Sequence, residues 1–149
     1  MRDYKLHHIG CVVNNIDVAK SYYVEVLNYK YKCSVIDEKQ NLRACFLEGN
    51  GHFLEILQKI NQEDNSPVDK IVKCLGGGVY HHCYEVENLD KEIKYLEKNN
   101  FVKCTKKYLE NDFFKYIFMI TPDNYIIEFI ENHSISNCCH CMQSCQSEC

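Results

Sequence analysis

The chain of 149 residues lacks three things. Its net charge of −4, with 17 Lys and Arg against 21 Asp and Glu, gives no positive field of the kind that draws a protein to nucleic acid, and the basic residues are scattered. A nucleic-acid partner is therefore not expected. No apolar run approaches the roughly 20 residues that a membrane-spanning helix needs, so no membrane partner is expected either. The opening residues MRDYKLHH carry neither the basic nor the apolar region of a secretory leader, and the expected location is cytoplasmic. What remains is room for one domain with a real core, or two small modules sharing one, and no second large domain.

Cysteine, by contrast, is abundant. Eleven thiols in a small chain would ordinarily suggest a disulfide scaffold. Six of them (Cys11, Cys33, Cys45, Cys74, Cys83 and Cys104) are spaced singly through apolar or strand-like segments, where a thiol behaves as a small hydrophobe. The other five fall within the last twelve residues, in NHSISNCCHCMQSCQSEC. That segment has no apolar periodicity and is expected to be a disordered appendage. Its Cys138, Cys141, Cys145 and Cys149, with His140, form a tract able to bind a soft metal, to oxidise, or to serve as a modifiable peptide.

Sliding the sequence over itself by 73 residues superimposes one half on the other. His8 falls on His81, Val13 on Val86, Asn15 on Asn88, Asp17 on Asp90, Tyr22 on Tyr95, Lys30 on Lys103 and Glu55 on Glu128. The matches fall at corresponding points of corresponding elements, as a tandem duplication requires.

Each half reads as a strand, a helix and three more strands. In the first, KLHHIGCVV is strand-like, Asn15 caps a helix with apolar residues at Ile16, Ala19, Tyr23, Val26 and Leu27, and YKCSVI, LRACFLE and HFLEIL follow. In the second, VYHHCYEV precedes a helix capped by Asn88 with Leu89, Ile93 and Leu96 on one side, followed by FVKCTKKY, FKYIFMI and YIIEFI. Between them, Ser66 as cap, Pro67 at the first helical position and Gly76 as stop predict a short helix. The expected fold is α+β, two tandem βαβββ modules. Their bounds are 1–60 and 78–131, with a linker at 61–77 and the tail at 132–149.

Each half also carries one histidine and one carboxylate at the same interval: 47 residues separate His8 from Glu55, and 47 separate His81 from Glu128. Glu55 in FLEIL and Glu128 in IIEFI are flanked by large apolar residues, where a bare carboxylate is costly unless paired or bound to a cation. A lone strand histidine is more often a hydrogen-bonded core residue, and a lone glutamate can face solvent by alternation. Two of each, in register, favour a shared divalent metal, with Zn, Ni, Co, Mn or Fe suited to nitrogen and oxygen donors. His7 and His82 point to the opposite strand face. The duplication does not preserve them, so packing or hydrogen bonding is their expected role.

The stretches HHIGCVVNNID, FLEIL, GGGVYHHCYEVENLD and TPDNYIIEFIE resemble the vicinal oxygen chelate superfamily over about residues 5–131. That superfamily includes glyoxalase I, methylmalonyl-CoA epimerase, extradiol dioxygenases and fosfomycin- and bleomycin-resistance proteins. The resemblance implies curved mixed sheets enclosing a metal, with His8, Glu55, His81 and Glu128 at the four ligand positions. A His-Glu-His-Glu set is the pattern of the glyoxalase I and epimerase branches. The Ser-Pro linker and the His81-to-Asn88 run are similar to methylmalonyl-CoA epimerases and bacterial lactoylglutathione lyases, whereas FMITPDN departs from the epimerase turn. No clear basic cluster marks a CoA phosphate tail or a glutathione carboxylate.

The implied activity is proton transfer next to a carbonyl, through an enediolate, in a small carbonyl or thioester substrate. Glu128 and Glu55 are the candidate catalytic acid and base. The competing reading is a non-catalytic protein that binds a small molecule or antibiotic. Relatives of this kind are often homodimers.

Overall fold

The computed structural model describes residues 2–49, 51–110 and 114–132. Its elements run β1 (Lys5–Val12), α1 (Ile16–Glu25), β2 (Lys30–Asp37), β3 (Leu42–Gly49), β4 (His52–Lys59), α2 (Asp69–Leu75), β5 (Gly78–Glu85), α3 (Leu89–Lys98), β6 (Val102–Lys103), β7 (Leu109–Glu110), β8 (Phe114–Ile120) and β9 (Ile126–Asn132). The fold is α+β, with the strand-helix-strands order expected of each half. The cysteine-rich segment from residue 133 onward lies outside the described residues. None of the described helices is long and apolar enough to cross a membrane.

The described chain divides into two compact units, one within residues 8–80 and the other formed by residues 2–7 with those described within 81–132. In the first, the strands lie in the order β2-β3-β4-β1. β1 pairs with β4 in parallel, and the other two ladders are antiparallel. Asn15 caps α1 by accepting from the Asp17 and Val18 amides, each at 3.0 Å, thereby satisfying two otherwise orphaned donors. The buried side of α1 is narrower than its apolar pattern predicts. Ile16 and Ala19 are buried against Cys45, Leu47, Leu54 and Ile56, with Tyr23 packed partly beside them. Val26 and Leu27 lie past the last helical turn and are exposed, so they do not belong to the core.

The linker helix starts later than expected. α2 begins at Asp69 after Val68, and Ser66 and Pro67 sit in the turn before it rather than at the cap and first position. The reason is local: the Asp69 carboxylate reaches back to accept from the Ser66 amide at 2.9 Å and also receives Lys59 Nζ at 2.6 Å. Val68 is fully buried with Val12, Leu42, Ala44 and Leu57, anchoring the turn. Gly76 ends α2 in the left-handed conformation, as its position predicted. Gly77 follows at φ +132°, where a Cβ would stand 2.6 Å from the Val12 carbonyl oxygen. Only glycine permits that approach.

In the second unit the order is β5-β9-β8-β6, with β7 also on β8. β5 and β9 are parallel, and the remaining ladders are antiparallel. Asn88 caps α3 through the Lys91 amide at 2.8 Å, and Glu131 takes the Leu89 amide at 2.5 Å. Leu89, Ile93 and Leu96 are all buried, against Ile117, Met119 and Phe129. The segment FVKCTKKY is not one strand. Cys104 still donates to the Phe118 carbonyl at 2.9 Å, but the chain then bends, with Thr105 Oγ1 donating to the Lys107 carbonyl. Only β6 falls within the segment, and β7 follows it at Leu109–Glu110. Of the six separately spaced thiols, Cys45 and Cys83 are buried as expected while Cys74 and Cys104 are exposed.

Candidate metal centre

Within residues 8–80, His8 lies on β1 and Glu55 on the parallel neighbour β4. Glu55 stands opposite Gly10, two residues beyond His8, so both side chains leave the same sheet face one pleat apart. The His8 Nε2 to Glu55 Oε2 separation is 3.4 Å. On the other side, β3 sets Phe46 directly opposite Glu55, and its ring meets the His8 imidazole edge-on at 5.7 Å.

The second unit repeats this arrangement from different residues. Glu128 on β9 stands opposite Cys83, two residues beyond His81 on β5, and the His81 Nε2 to Glu128 Oε2 separation is 3.2 Å. β8 sets Phe118 opposite Glu128, with its ring edge-on to His81 at 5.2 Å. Both histidines and Glu128 are buried, and the Glu55 side chain is 15% exposed. Solvent alternation therefore does not account for either carboxylate.

Phe46 and Phe118 belong to the site but escape the 73-residue slide, which sets Phe46 against Met119. Nine residues separate Phe46 from Glu55 and ten separate Phe118 from Glu128. The β8–β9 hairpin is thus one residue longer than the β3–β4 hairpin. An alignment allowing one inserted residue would have found the pair.

The donor chemistry suits a divalent cation. Ligand bonds of about 2.0–2.2 Å at octahedral to tetrahedral angles place two donors roughly 2.8–3.6 Å apart. Both His–Glu separations fall in that interval. They exceed the roughly 2.7–2.9 Å of a charge-assisted hydrogen bond. Near the first pair, burial and then the Glu55 carboxylate push the Cys11 thiol pKa up.

His7 and His82 have aromatic neighbours instead. His7 packs edge-on against Phe114 at 5.4 Å, and His82 lies beside Tyr125 at 5.5 Å.

Comparison with known proteins agrees with this architecture. The model of the Glyoxalase/Bleomycin resistance protein/Dioxygenase superfamily matches residues 7–118. The uncharacterized protein YqjC of Bacillus subtilis (strain 168) is 26% identical over 92 residues, which are 62% of this chain and 64% of that protein. The chain thus matches somewhat less than two thirds of that relative's length. Among solved structures, hypothetical protein BH1468 from Bacillus halodurans C-125 superimposes with a TM-score of 0.81 at 23% identity, covering 89% of this chain and 97% of that one. Methylmalonyl-CoA epimerase from Mycobacterium tuberculosis gives 0.76 at 20%, covering 87% and 88%. A Streptomyces coelicolor methylmalonyl-CoA epimerase in complex with 2-nitronate-propionyl-CoA gives 0.77 at 17%, covering 87% and 98%. With the family model matching most of the chain and the fold agreeing, the chain belongs to the glyoxalase/bleomycin resistance protein/dioxygenase superfamily.

Proposed function

We propose that the chain is a metal-dependent enzyme that moves a proton next to a carbonyl, with His8, Glu55, His81 and Glu128 together holding one divalent cation. One observation carries the reading: the same two atoms, His Nε2 and Glu Oε2, are set 3.4 and 3.2 Å apart in identical strand register in both units. Neutral imidazoles offer Nε2 as a donor, and the carboxylates supply the charge that offsets a dication. When bound, the ion would supply Lewis-acid stabilisation of the negative charge that builds on the substrate carbonyl oxygen in the transition state.

The protein's own groups then handle the proton. One carboxylate of Glu55 and Glu128 takes the proton α to the carbonyl, and one returns it. Two carboxylates at duplicated positions suit a reaction in which the proton leaves one face of a carbon and arrives on the other. Phe46 and Phe118, edge-on to the imidazoles, hold the rings in place and keep an apolar wall beside the charges. The substrate class is an acyl-CoA thioester such as methylmalonyl-CoA, in line with the ligand carried by the Streptomyces structural relative, or a hemithioacetal of the lactoylglutathione lyase type.

The test is metal content of the purified full chain, followed by solvent-deuterium exchange into methylmalonyl-CoA and into a hemithioacetal. The expected result is close to one divalent ion per chain, its loss in His81→Ala, and catalysed exchange into one substrate. Full metal retention in His81→Ala would remove the assignment. Metal binding with no exchange into either would mark a binding protein.

A further inference from the structure

The two units finish their sheets differently. In the second, the outer edge is broken into β6 and β7, two residues each, with a bend between them. In the first, the outer strand β2 is eight residues long, and among the described residues it pairs only with β3. Its other edge offers a row of backbone donors and acceptors. Tyr31, Val35 and Ile36 on it are exposed, Ile36 at 66%.

The register of β2 gives it a second property. The ladder with β3 slips between Tyr31 and Cys33, so Lys32 is an extra, bulged residue. Plain alternation would put Tyr31 and Ile36 on opposite faces; the bulge puts them on the same one. The contacts bear this out. Tyr31 stands opposite Leu47 and Ser34 opposite Cys45, both in the core beneath α1. Ile36 stands opposite Arg43, whose guanidinium reaches Asp17 of α1 at 2.9 Å. Tyr31 Oη also donates to Ser34 Oγ at 3.3 Å on that face. Lys30, Cys33, Val35 and Asp37 share the other face.

Folded about Ser34, this strand complements itself. An antiparallel second copy sets Ser34 against Ser34, Ile36 against Tyr31, Val35 against Cys33, and Asp37 against Lys30. Every opposed pair shares a face, and the terminal pairs join opposite charges. Asp37 is held ready by Gln40, whose backbone and side-chain amides donate to it at 3.0 and 2.8 Å.

We propose that two copies of this chain associate through β2, edge to edge and antiparallel, about a two-fold axis at Ser34. A two-fold axis makes each apolar and ionic pair occur twice, an isologous contact. The inference does not depend on the metal centre.

Charge reversal provides the test, by sedimentation equilibrium of the full chain under reducing conditions. The wild-type chain is expected to be dimeric at about 100 µM, where an edge contact of micromolar strength is populated. K30E and D37K should each weaken association about tenfold, because attraction becomes repulsion at two related places. The double variant K30E/D37K should restore it, with circular dichroism confirming the fold of each. Independently, S34C should form an intermolecular disulfide on mild oxidation, mapped to position 34 of both copies by mass spectrometry of a digest, which separates it from bonds made by the other cysteines. A monomer at that concentration, a dimer indifferent to both reversals, or S34C chains that link only through other positions would overturn the proposal.

Discussion

The two units build one pair of donors from one topology, yet they surround it differently. Opposite Glu128 stands the buried thiol of Cys83; opposite Glu55 stands Gly10, which has no side chain. α3 buries Leu89, Ile93 and Leu96, whereas α1 buries only Ile16 and Ala19 and leaves Val18 and Tyr22 exposed. The second unit breaks its edge strand into two pieces of two residues, β6 and β7, and the first keeps one strand of eight. What duplication has held constant is the register that aims a histidine and a glutamate from parallel neighbours. What has drifted is the exterior, where a change costs little stability unless a partner covers it.

The largest expected effect tests whether the two carboxylates are equivalent. Glu55→Gln and Glu128→Gln keep shape but lose charge and basicity, and each should lower catalysed deuterium exchange by about 10²–10⁴-fold. A loss confined to one variant would break the symmetry and name the base. Next come the two cores. Leu47→Ala and Ile117→Ala each open a cavity at a fully buried site and should each cost about 2–5 kcal/mol in urea unfolding. Coincident transitions by far-ultraviolet dichroism and tyrosine fluorescence in both variants would show that the units unfold together; separated transitions would show that they do not.

Smaller still is the effect of the caps. Asn15 serves two amides and Asn88 one, with Glu131 assisting at α3. Asn15→Ala should therefore cost about 1 kcal/mol, and Asn88→Ala less. Equal losses would mean that the Glu131 contact does not compensate. The smallest effect belongs to Asp69, which has no charged counterpart in the second unit because α2 occurs once. The hydrogen bond from Lys59, then that from the Ser66 amide, holds its carboxyl below the ordinary value of 3.8. A depressed pKa contributes stability that is complete above the unfolded value and is lost as pH falls through the folded one. Asp69→Asn should therefore flatten the acid limb of a pH–stability profile below about pH 4, with the difference from wild type vanishing at lower pH.

Part of this architecture is legible in the order of residues alone. The 47-residue interval finds both His–Glu pairs because a duplicated fold preserves strand spacing, and Asn15 and Asn88 mark helix starts because a cap needs a short polar side chain at one position. The linker helix misleads because Ser66-Pro67 carries the usual start signal, while Asp69, bonded to Lys59 and to the Ser66 amide, makes the turn instead. FVKCTKKY has strand-like residues, but after Cys104 the chain bends back on itself. Phe46 and Phe118 stay hidden behind a one-residue difference in hairpin length.

The sequence by itself determined the duplication, the α+β class and the two His–Glu pairs, because periodicity, capping and repeat spacing are local properties written along the chain. Only the tertiary structure decided that each glutamate stands two residues beyond its histidine across a parallel ladder, that an aromatic ring closes each pair, and that a bulge at Lys32 turns Tyr31 and Ile36 to one face. Those facts depend on inter-strand register, which arises when whole strands pack against one another and which no single segment encodes.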